Sequence, residues 1–176
     1  MKDKKYFVGF KVESDDDKAK EEILNLLESN KELGITLDEL GITEEQLQDP
    51  KYQYVIKEDE GKDNEKFGKE EFSVINLYKY VSDSYGTSNI GSNSRNFCIN
   101  LVSRTATSMF RYQDIISITP NPGFGKGGSN IYSVFKFRGG SNCKHYWLKF
   151  KYDTDTQSLV EAPIGEQPIQ INKGSV

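Results

Sequence analysis

The chain has 176 residues, a formal net charge of −4 and 35% hydrophobic residues, with burial capacity restored by ten Tyr and ten Phe. That length suits one ordinary domain or two small units joined by a linker, and no apolar run reaches the roughly 20 residues that span a bilayer. The basic start, Met1 to Lys5, leads into an apolar stretch too short for a secretory signal. A soluble protein held in a reducing cytoplasm is therefore expected, where two cysteines serve as thiols or metal ligands sooner than as a disulfide.

In chain order, Tyr6, Val8, Phe10 and Val12 alternate with Phe7, Gly9 and Lys11, the period-2 pattern of a strand. Ser14 to Asp17 supply a cap and first-turn acids. Ala19, Ile23, Leu24, Leu26 and Leu27 then form an apolar stripe that predicts a helix over about 16–30. Gly34 and Gly41 bracket a connection, and Thr43 to Leu47 reads as a short capped helix ended by Pro50. Tyr52, Tyr54 and Ile56 alternate within a returning strand over 51–58. Residues 59–71 hold a single aromatic among charges, a composition that cannot bury a core, and are expected to be a linker.

The second half opens with a strand over 72–81, rich in β-forming residues. A Gly/Ser/Asn-rich loop over 82–93 leads to Ser94, which caps a short helix from Arg95 to Arg104. A further helical turn is expected at Tyr112 to Ile116. Pro120 to Ser129 must be an irregular loop. Its glycines match G-x-G-x-x-G at Gly123, Gly125 and Gly128, but neither a strand before nor a helix after supports a dinucleotide site. Residues 131–138 and 143–152 then read as a hairpin around Gly139 to Asn142, and 154–176 as a polar tail. The result is an α+β chain. An acidic β-α-β module (1–58), a charged linker (59–71), a basic aromatic module of short helices and an antiparallel hairpin (72–153) and the tail follow in order.

Charge is unevenly placed. Residues 1–71 hold 12 Lys/Arg against 21 Asp/Glu, whereas 72–151 hold 10 Lys/Arg against Asp83 and Asp114 alone. Two readings stand: the halves neutralise each other by packing, or the basic half faces an anionic partner such as DNA. The second makes Arg95, Arg111, Lys126, Arg138, Lys144 and Lys149 candidate nucleic-acid contacts, interleaved with aromatics on which bases stack.

Sulfur and imidazole chemistry is confined to Cys98, Cys143 and the single His145, beside the single Trp147. On a strand Cys143, His145 and Trp147 share one face, and Tyr146, Leu148, Phe150 and Tyr152 line the other, which is expected to be the core face. A C-x-H pair joined by Cys98 gives three ligands for zinc, with Asp114 or solvent as the fourth. A thiol–imidazole reaction centre and a packed structural cluster are the other two readings of the same residues. Paired carboxylates are scarce in 72–151, which argues against hydrolytic acid/base chemistry, and no catalytic residue is assigned.

Four blocks occur in one order: Arg95-x-Phe97-Cys98, Tyr112-Gln113-Asp114-Ile115, Asn121-Pro122-Gly123-Phe124-Gly125-x-Gly127-Gly128, and Asn142-Cys143-Lys144-His145-x-Trp147. In this the chain resembles, over about residues 92–152, a C-terminal module of tailed-phage head-region proteins. That module is found downstream of XkdF-like protease domains and in MuF-like head-morphogenesis proteins, including those of crAss-like and other Bacteroidetes phages. The resemblance implies a virion structural or head-assembly protein, present in the virion and in the host cytoplasm during assembly. It implies other virion proteins as partners; packaged DNA is a further expected contact, and with no apolar run of bilayer length no membrane partner is expected. No protease domain precedes the module in this sequence, so a maturation-enzyme role is not expected. The alternatives are a small metal-dependent or Cys/His enzyme and a zinc-stabilised nucleic-acid-binding module.

Overall fold

A computed structural model describes residues 15–57, 60, 73–82, 96–118, 134–137 and 145–168. The expected strand at 6–12, the glycine-rich loop at 120–129 and most of the linker at 59–71 lie outside the described residues. The elements, in order, are α1 (Asp15–Ser29), β1 (Ile35–Thr36), α2 (Leu37–Leu40), α3 (Glu44–Gln48), β2 (Val74–Val81), α4 (Asn96–Thr107), β3 (Ser108–Met109), α5 (Tyr112–Ser117), α6 (Val134–Phe137), β4 (Tyr146–Asp153) and β5 (Ser158–Leu159). Helices and antiparallel strands coexist, as an α+β reading requires.

Local chemistry sets several of these boundaries. Thr36 and Glu39 form a reciprocal capping box at the start of α2, with the Thr36 N–H donating to Glu39 Oε2 at 2.9 Å. Gly41 ends the same helix in the left-handed region at φ 65°. Thr43 and Gln46 repeat the box at α3. Gly34 has φ 90°, and a Cβ there would lie 2.8 Å from Phe110 Cδ1, so only glycine fits against that ring.

Two expectations about pairing are corrected. Residues 51–57, the described part of the strand expected over 51–58, do not form one: Pro50–Tyr52 is a 3-10 turn capped by Asp49, whose carboxylate accepts from the Lys51 N–H at 3.1 Å. The proline fixes a helical φ just where that carboxylate takes up a turn N–H, and only Tyr54 reaches the sheet, as one bridge to Lys149. Nor do residues 134–137, the described part of the expected 131–138 strand, pair with β4. Val134–Phe137 is a helical turn, and β4 instead pairs antiparallel with β2 over eight residues, from Val74↔Asp153 to Val81↔Tyr146. Beyond β4 lies β5, and the β1–β3 ribbon joins the other side through the single bridge Tyr78↔Phe110.

This sheet is covered on both faces. Tyr78, Tyr80 and Trp147 point toward Ile23 and Leu27 of α1, Phe97, Leu101 and Val102 of α4, Tyr112 and Ile115 of α5, and Val134 and Phe135 of α6. Leu77, Val81, Leu148, Phe150 and Tyr152 point the opposite way, toward Leu40, Ile42 and Leu47. The Cys/His-bearing face of β4, expected to be the less apolar one, is therefore also a core face. Residues from the acidic and the basic stretches share both clusters. The polar tail also takes part: Leu159 and Ala162 are buried, Ala162 donates its N–H to Lys51 O at 2.7 Å, and Tyr54 donates its hydroxyl to Glu161 O at 2.9 Å.

Candidate functional site: a buried aromatic cluster around Tyr80

Tyr80 is the next-to-last residue of β2, directly opposite Trp147 of β4 in an antiparallel register that puts both side chains on one face. Their ring centroids are 4.8 Å apart at 59°. The His145 ring stacks on Tyr80 at 5.6 Å with 9° between planes. The Tyr80 hydroxyl lies 3.8 Å from Cys98 Sγ, within the first turns of α4. Strand pairing and helix packing thus bring Cys98, His145 and Trp147, distant in sequence, onto a single tyrosine. Cys143 lies outside the described residues.

The surroundings are apolar and closely arranged. Cys98 is 3% exposed, His145 7% and Trp147 4%. Phe135 stacks on Trp147 at 6.2 Å and 15°, and meets Tyr78 and Tyr112 edge-on at 5.2 and 5.4 Å. Edge and offset contacts of this kind suit the ring quadrupoles. The indole N–H, which must find an acceptor when buried, donates to Val134 O at 3.3 Å. Burial pushes the Tyr112 phenol above its ordinary pKa of 10.0.

One polar feature organises the edge of this cluster. Past the Tyr78↔Phe110 bridge no strand continues beside β2 among the described residues, so the backbone of Tyr80 must bond elsewhere. The fully buried Thr105 of α4 takes that place. Its Oγ1 accepts from the Tyr80 N–H at 3.0 Å and lies 3.1 Å from Tyr80 O and 3.0 Å from Leu101 O, either of which its proton can reach. A helix side chain here substitutes for a strand.

Two buried lysines, which sequence reading missed as pairs, sit on opposite faces of the sheet. Lys79 is paired with Glu44 of α3. Lys149 is paired with Glu60, whose Oε2 also accepts from the Tyr78 hydroxyl at 2.9 Å; the ionic side chains are 8% and 9% exposed. A lysine inside an otherwise apolar strand signals a buried acid partner, but sequence spacing alone does not say which acid.

The candidate nucleic-acid contacts are redistributed accordingly. Lys149 is withdrawn from that set, because its ammonium is buried against Glu60 and faces the interior. Arg111 is exposed at the start of α5. Arg95, Lys126, Arg138 and Lys144 lie outside the described residues. Asp114, with solvent one of the two sources expected for a fourth zinc ligand, caps its own helix by accepting from the Arg111 N–H at 2.7 Å. Among the described residues no group of three or more His, Cys, Asp or Glu side chains is placed to hold a metal ion, and no helix is long and apolar enough to cross a membrane.

Protein-family models, curated proteins and solved structures give no match to this chain. What the site's geometry does chemically is to fix ring positions: a thiol, an imidazole and an indole are held against one phenol in a buried, largely apolar interior.

Proposed function

We propose that the chain is a virion structural or head-assembly protein of a tailed bacteriophage, acting through protein–protein contacts. One observation supports this above others. Phe97 and Cys98 of the first resembling block, Tyr112 and Ile115 of the second, and Trp147 of the last belong to one buried cluster, with His145 stacked on its tyrosine. A motif whose recurring residues are core residues marks a shared scaffold. Reactive thiols sit in electropositive, partly exposed surroundings, whereas buried structural ones are inert. Cys98 belongs to the second kind, which favours assembly over a Cys/His enzyme. The withdrawal of Lys149 likewise weakens DNA as the principal partner and leaves Arg111 as the one exposed candidate among the described residues.

The test is mass spectrometry of density-purified particles and capsid precursors from cells infected by the phage that encodes the chain. The proposal expects the chain in particles or precursors at a reproducible copy number relative to the major capsid protein. Its absence from both, with the chain abundant in the infected lysate, would overturn the proposal.

A further inference from the structure

We draw no further inference here: the strongest candidate, the exposed acidic residues Glu21, Glu22, Glu32, Asp38 and Glu45 on and between α1, α2 and α3, carries nothing by itself, because no second feature among the described residues points to what would cover them.

Discussion

At the scale of single residues, the side chains that matter most are polar groups placed inside apolar layers. Thr105 is the clearest case, since its hydroxyl oxygen accepts from the Tyr80 N–H at a point where, among the described residues, no strand continues on the side of β2 away from β4. Thr105→Val keeps the shape and removes the hydroxyl, and with it the acceptor 3.0 Å from the buried Tyr80 N–H. It should cost on the order of 1–3 kcal/mol in urea denaturation. Thr105→Ser should cost clearly less; equal losses for Val and Ser would show that the hydroxyl is irrelevant. The Lys149–Glu60 pair obeys a different rule. Removing one charge strands the other, so Lys149→Met should destabilise by roughly 3–5 kcal/mol. The double variant Lys149→Met with Glu60→Gln should recover much of that loss while keeping an acceptor for the Tyr78 hydroxyl. A double variant as unstable as the two single losses added together would mean the charges are not coupled. Of the candidate site, the convergence of Cys98, His145 and Trp147 was legible because sulfur and imidazole are so rare in this chain. Tyr80 was not, since nothing in the sequence distinguishes it from nine other tyrosines until β2 and β4 are paired.

At the scale of elements, the readable parts are those whose local chemistry agrees with their tertiary role. The apolar stripe of α1, the Thr43 cap of α3, the β-rich run of β2 and the short turn at Tyr112 all appear where periodicity and capping put them. The misread parts are those settled by partners distant in sequence. The alternation of Tyr52, Tyr54 and Ile56 is overridden by Asp49 and Pro50, which hold 50–52 in a capped turn. Val134 and Phe135 have strong β preference, yet they are held in a helical turn, where Phe135 packs against Tyr78, Tyr112 and Trp147. The capping box of α2 offers a test by pH. Hydrogen bonds from the Thr36 backbone and then its side chain hold the Glu39 carboxyl below its ordinary 4.5. A depressed folded-state pKa contributes stability that is present above the ordinary value and fades as pH falls through the lowered one. The stability gap between the native chain and Glu39→Ala should therefore be widest near neutral pH and narrow on acidification below 4.5. A gap that stays constant across that range would show that the carboxylate is not what stabilises the turn.

At the scale of the whole molecule, the charge asymmetry finds part of its explanation in packing. Glu44 and Glu60, from the acidic stretch, each pair with a buried lysine, Lys79 of β2 and Lys149 of β4, one on either face of the sheet. Apolar residues from both stretches fill the same two clusters. Composition showed the imbalance but could not say which charges meet, because that depends on a register fixed by eight consecutive cross-strand pairs. The central claim is that the Cys98, His145 and Trp147 constellation is a packed core of an assembly protein, with no metal or reactive centre in it. The most direct test is the rate at which Cys98 is alkylated in the folded protein, followed by peptide mass mapping, with zinc measured on the same chelator-free sample. The account predicts that Cys98 reacts orders of magnitude more slowly than after unfolding, and that stripping metal does not change its rate. Alkylation of Cys98 at the rate of an exposed thiol while the fold stays intact would contradict it, as would about one zinc per chain whose removal releases the thiol.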